Sequence, residues 1–186
     1  MKKILFFAFV LTSITNFSQE LRLLRGSITE NVAVNDSLKE TLSLYLPSTF
    51  EVQKPWPVIF VFDLKGRGRA SVSMLVTAAE KEGYILASSD NVNDSLSISE
   101  NVLIANRMFN ALINIVPVAN NRTYTAGFGS GAMFASILPT FIKEIKGVVS
   151  IGASVGNIEI LNSKQTFQFI GIVNRSDYSF RDMLDT

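Results

Sequence analysis

The sequence predicts an α/β protein: a mostly parallel central sheet flanked by helices, with antiparallel strands at its amino-terminal edge. Three observations carry this. Strand-like and helix-like segments alternate from Pro57 onward, and such alternation implies a parallel sheet with helical crossovers. Val58 to Phe62 in "PVIFVFD" is continuously apolar, as a strand buried on both faces requires. Before it, Leu42, Leu44 and Leu46 alternate with Ser43 and Tyr45, the period of a half-buried strand.

The elements follow in order. "LRLLRGSITE" and "ETLSLYLP" read as two opening strands with the polar stretch "NVAVNDSLK" between them, and Pro47 stops the second. After the strand ending at Phe62 comes the loop "DLKGRGR", then one helix over "ASVSMLVTAAEKEG" that stops at Gly83. "YILAS" is a strand. "SISENVLIANRMFNALINIVP" is the clearest helix. Ser97 and Glu100 have capping-box spacing, Ile104, Ala105, Met108, Phe109 and Leu112 share a face, and Pro117 ends it. "RTYTAG" is a strand, and "SGAMFASILPTFIKEI" a helix that breaks near Pro139. "GVVSIGA" and "TFQFIGIV" read as two further buried strands.

Composition narrows the chemistry. The chain has 186 residues, 47% of them hydrophobic, and a formal net charge of +1. That is enough for one domain with its own core. Charges of both signs are interspersed, so nothing points to nucleic acid. There is no cysteine and no histidine. The first absence removes disulfides, thiolate metal sites and a thiol nucleophile. The second removes the commonest general base and the commonest metal ligand. Asp90, Asp94 and Glu100 match no familiar metal spacing. No metal or cofactor is implied.

"MKKILFFAFVLTSITNFS" begins with two lysines, continues with an apolar run too short to span a bilayer, and ends on the small residue Ser18. It reads as a signal peptide over 1–18, cut before Gln19. The remainder, 19–186, reads as a single periplasmic or secreted domain with no membrane attachment.

In parallel sheets ligands bind at the carboxyl ends of the strands. Those ends hold "DLKGRGR", "SSDNVND", "GFGSG", "GASVGN" and "NRSDYS". In that order, and following a "YLP" strand, these segments resemble the α/β-hydrolase superfamily, most of all its secreted bacterial esterase-like members. The resemblance covers about Thr41 to Thr186. It implies a nucleophile elbow at "GFGSG", a tight strand-to-helix turn in which the centre of Gly-x-Ser-x-Gly attacks the substrate. It implies an oxyanion hole from the backbone N–H groups of Ser130 and Leu64. It also implies a triad acid at Asp177, and a histidine after a last strand.

The chain departs from that pattern. Gly127 and Gly131 stand where the flanking glycines belong, but the centre is Gly129, and the serine is one place later at Ser130. As a shifted nucleophile Ser130 has Phe128 and Ala132 as flanks, and Phe128 is too large for that crowded position. The plainer expectation is that its hydroxyl caps the following helix. Ser154 in "GASVG" does fit Gly-x-Ser-x-Gly, yet "NIEILNSK" after it is a poor helix, so it reads as a strand-end loop. Asp177 alone has nothing to orient; it keeps the acid's position and reads as an Asx-turn residue. Lys65, Arg67 and Arg69 form a solvated basic loop that lacks the Walker pattern and could draw an anion. The family's last strand and histidine loop have no counterpart before Thr186.

The primary expectation is a secreted relative of serine esterases that does not run Ser-His-Asp hydrolysis. The alternatives are the amino-terminal part of a larger carboxylic-ester hydrolase, and a ligand-binding or surface-interaction domain without catalysis. The expected partners are a small ester or carboxylate, and a second copy at an exposed edge of the "TFQFIGIV" strand.

Overall fold

The computed structural model describes residues 23–154 and 167–184. The expected signal peptide, and "VGNIEILNSKQT" at 155–166, lie outside the described residues.

β1 (Ser27–Asn35) and β2 (Glu40–Leu46) form an antiparallel hairpin at one edge of a seven-stranded sheet. The polar spacer expected over "NVAVNDSLK" is therefore mostly strand. Asn31 adopts φ 55° at an irregularity in the ladder, and Val32 is fully buried. A bulge of this kind re-aims the following side chain, and strict alternation along β1 is lost there. The chain turns at Asp36–Lys39, where Asn35 Oδ1 accepts the Leu38 N–H at 3.1 Å.

β2 pairs antiparallel with β4 (Ile85–Ser89). β4, β3 (Trp56–Phe62), β5 (Val118–Phe128), β6 (Ile145–Ile151) and β7 (Gln168–Ile172) run parallel. The spatial order is β1-β2-β4-β3-β5-β6-β7. From β3 the chain winds first to β4 on one side, then crosses to β5 on the other. The crevice between the carboxyl ends of β3 and β5 is thus a topological switch point.

Both faces of β3 are covered, as its apolar run requires. Val58, Phe60 and Phe62 join a core with residues of α3 (Ile98–Ile115) and α4 (Ser130–Ile137). Phe60 meets Phe109 at 5.5 Å between ring centroids, and Phe62 meets Phe134 edge-on at 5.2 Å. On the opposite face Val61, Tyr45 and Leu86 pack with Val72 and Ala79.

Those last two residues belong to separate helices, α1 (Gly68–Ser73) and α2 (Val76–Glu82), where the sequence predicted one. The Leu75 N–H bonds back to the Val72 carbonyl at 3.1 Å, closing a tight turn between them. The spacing of Val72, Val76 and Ala79 is helical across the break, so apolar periodicity does not register it. Gly83 ends α2 at φ 71°, as expected.

The capping box of α3 is formed. Ser97 Oγ accepts the Glu100 N–H at 3.2 Å, and the Glu100 carboxylate accepts the Ser97 N–H at 2.8 Å. α4 passes into a 3₁₀ turn at Leu138–Thr140, at the break expected from Pro139. β5 starts four residues earlier than the sequence suggests, through an irregular segment described below.

β7 is not the buried strand expected. It stands at the sheet edge, with Ile170 56% and Ile172 52% exposed. Burial of a parallel strand needs elements packed over both faces. β7 pairs only with β6 among the described residues, and Met183 of α5 (Phe180–Leu184) lies against Gly171. Among the described residues, no helix is long and apolar enough to cross a membrane.

Candidate functional site

β5 runs to Phe128, and the chain reverses at Gly129 into α4. Gly129 has φ 54° and ψ −122°, a backbone state that side-chain-bearing residues enter only under strain. Its N–H donates to the Ile151 carbonyl of β6 at 2.9 Å. Its carbonyl accepts the N–H groups of Ala132 and Met133 at 2.9 and 3.2 Å, so the helix begins immediately.

The three glycines have different reasons. A Cβ on Gly127 would collide with the carbonyl of Gly131, and a Cβ on Gly131 with the carbonyl of Phe62. Strand, turn and helix approach backbone to backbone there, which only glycine permits. A Cβ on Gly129 would meet nothing within 4 Å. The flanking glycines are demanded by packing, whereas the central one leaves open space.

Across the switch point, the loop after β3 is held from two directions. The Asp63 carboxylate accepts the Lys65 N–H at 2.9 Å and pairs with Arg67 Nε at 2.7 Å. The Leu64 carbonyl accepts the Asp94 N–H at 2.9 Å, and the Gly66 N–H donates to the Val92 carbonyl at 2.9 Å. Leu64 itself has φ 54°, a left-handed state for a residue with a side chain. Its side chain packs against the apolar core.

An open cleft of about 680 Å³ lies between this loop and the turn. Lys65 and Arg67 line one side, Gly129 and Ser130 the other, and Met74 and Phe128 supply apolar surface. Met74 is 62% exposed beside the break between α1 and α2. The positive charge of the loop is partly cancelled, by Asp63 on Arg67 and by Glu30 on Arg69. Lys65 has no ion-pair partner among the described residues.

Ser130 is not the helix cap expected. It is the first residue of α4; Gly129 holds the cap position, and no side chain caps that end. A cap side chain belongs to the non-helical residue before the first turn, and Ser130 already lies inside that turn. The Ser130 side chain is exposed, with no hydrogen bond among the described residues. Asp177 follows β7 in a turn of its own. Its carboxylate accepts the Asn174 N–H at 2.7 Å, and its N–H donates to the Asn174 carbonyl at 2.9 Å. It is not among the described residues lining the cleft. At Ser154, the strand end is turned by Gly152 at φ 76°, and the segment beyond lies outside the described residues.

Asp63 and Met74 are cleft residues that the sequence reading did not single out. Asp63 carried a signal, since Arg67 follows it at pairing distance in the chain; Met74 carried none. Among the described residues, no three of His, Cys, Asp and Glu cluster as a metal site.

No family model matches the sequence, and no curated protein matches it. Solved structures do. S-formylglutathione hydrolase from Staphylococcus aureus superposes with a TM-score of 0.64 at 12% identity, over 89% of this chain and 84% of that one. Acetyl xylan esterase from Aspergillus awamori gives 0.54 at 16% identity, over 67% of this chain and 51% of that one. Est1E from Butyrivibrio proteoclasticus gives 0.53 at 12% identity, over 67% and 50%. The chain thus spans about half the length of the last two proteins. The mixed sheet, its strand order and the strand–turn–helix at Gly129, with these likenesses, make this the α/β-hydrolase fold.

Proposed function

We propose that this chain is a relative of serine esterases that binds a small ester or carboxylate at its elbow without covalent serine catalysis. The observation that carries the reading is Gly129. It keeps an elbow backbone, at φ 54° and ψ −122°, with open space where a nucleophile side chain would stand. The triad works as a unit of nucleophile, base and orienting acid. Glycine cannot supply the first, and the 186 residues contain no histidine for the second. Ser130 offers no substitute, being one position past the turn with no base paired to it among the described residues. Lys65 beside the turn favours the anionic end of a carboxylate, and Met74 and Phe128 suit a short apolar acyl group.

Short p-nitrophenyl esters test this. The purified chain should hydrolyse them no faster than buffer, and Ser130→Ala should change nothing. Turnover above background that disappears in Ser130→Ala overturns the proposal.

Export and self-association belong to the same reading. Residues 1–18 have the composition of a cleaved signal. Intact mass of the protein from its own cells should therefore begin at Gln19, and a retained Met1 refutes cleavage. The exposed isoleucines of β7 and its edge, unpaired among the described residues, favour association with a second copy. Light scattering should show species larger than a monomer, and a monodisperse monomer contradicts this.

A further inference from the structure

The end of the sheet opposite the elbow carries a second cleft, of about 840 Å³, where β5 begins. Two ladder irregularities shape it. Val118 and Thr123 of β5, five apart, face Trp56 and Val58 of β3, two apart. Ile145 and Gly147 of β6 face the adjacent residues Thr123 and Tyr124 of β5. The extra β5 residues bulge outward through Asn121, which takes φ 60°. The extra β6 residue, Lys146, lines the cleft too. Bulges re-aim side chains at a local cost in pairing.

What they present is carboxamide. Asn120 and Asn121 from the bulge meet Asn106 and Asn110 from α3 along this cleft. All four are exposed, and none of their side chains makes a hydrogen bond among the described residues. Phe141, 56% exposed, forms part of the wall. A neighbouring cleft of about 340 Å³ shares Asn121 and Lys146 and continues to Tyr124 and Gln168. The charged groups do not favour an ion. Lys146 Nζ donates to the Lys143 carbonyl at 2.8 Å, and Glu144 lines the same cleft as Lys143.

We propose that this groove binds a neutral oligosaccharide. Each carboxamide carries donors and an acceptor in one plane, a match for adjacent sugar hydroxyls. The exposed Phe141 ring offers a flat apolar surface for the C–H face of a pyranose. Two clefts in continuity favour a chain of sugars over a single one. An extended peptide would need a free strand edge or a row of apolar pockets. β5 and β6 are interior strands with no free edge.

Calorimetric titration of the purified full chain with cellohexaose, xylohexaose and mannohexaose tests the proposal. At least one should bind saturably. The Asn120→Ala/Asn121→Gly double variant should weaken that binding about tenfold or more. Glycine at position 121 keeps the left-handed backbone, so circular dichroism and the unfolding midpoint should change little. Phe141→Ala should weaken binding comparably, and Lys81→Ala on α2, which lines neither cleft, should leave it unchanged. No saturable binding by any of the three sugars overturns the proposal. So does binding insensitive to the groove variants, or preferential binding of an uncharged extended peptide such as a polyasparagine hexamer.

Discussion

The Gly129 N–H donates to the Ile151 carbonyl at 2.9 Å, tying the sharp turn after β5 to the end of β6. The turn is thereby held whether or not a side chain stands on it. Substitutions along the glycine series should separate backbone strain from collision. Gly129→Ser meets no obstacle, and its cost is that of a left-handed non-glycine residue, about 1–3 kcal/mol. Gly131→Ala drives a methyl into the Phe62 backbone and should cost more than Gly129→Ser. Urea unfolding of the two variants checks the order. Equal losses would mean the turn relaxes as a whole.

Serine at position 129 should not by itself create an esterase. With no histidine in the sequence, the new hydroxyl lacks a general base. Gly129→Ser should leave p-nitrophenyl ester turnover near background, measured in steady state. Efficient turnover would reveal another base at the cleft.

Arg107 grips Glu40 through Nε at 2.7 Å and a second nitrogen at 2.5 Å, joining α3 to β2. The Glu40 side chain is 7% exposed and that of Arg107 33%. Arg107→Met strands a buried carboxylate and should cost about 3 kcal/mol, the low end for a buried pair because the guanidinium reaches solvent. Glu40→Leu combined with Arg107→Met should recover most of the loss, because no buried charge is then left alone. Chemical denaturation of both variants and the double variant decides it.

Tyr45 and Ser48 both donate their hydroxyls to Glu80, binding α2 to the end of β2. Burial first, and then the bond to Glu80, push the Tyr45 hydroxyl from 10.0 to about 12. Its folded value lies above its unfolded one. Its contribution to stability is therefore complete below pH 10 and lost as pH rises through about 12. The Glu80 carboxyl shifts the other way, lowered first by the Ser48 hydroxyl, then by Tyr45 and the Ser48 N–H. Its contribution is present above the ordinary carboxylate range and lost as pH falls through the lowered value. Tyr45→Phe should flatten the alkaline limb of the stability–pH curve, and Glu80→Gln the acid limb. Limbs unchanged by either substitution would contradict the linkage.

At the start of α3, Ser97→Ala removes the acceptor for the Glu100 N–H and should cost about 1 kcal/mol. Thermal or urea unfolding measures it. A loss under a few tenths would mean that water replaces the cap.

The architecture and the main chemical exclusion are legible in the residues alone. The apolar run Val58 to Phe62 demanded cover on both faces, and the capping box at Ser97 and Glu100 set where the longest helix begins. Those signals are local: period, caps and composition act over a few residues and survive in the folded chain. The missing histidine and the glycine at position 129 are equally visible without coordinates. Tertiary structure decided the rest. Whether Ser130 caps α4 depends on a backbone reversal at Gly129 that residue type alone does not specify. The exposure of the faces of β7 depends on what packs over them, and an apolar strand looks the same in sequence whether it is covered or not. The carboxamide groove depends on bulges in two strands that meet only once the sheet has formed, since register is a property of pairs of strands and not of either one.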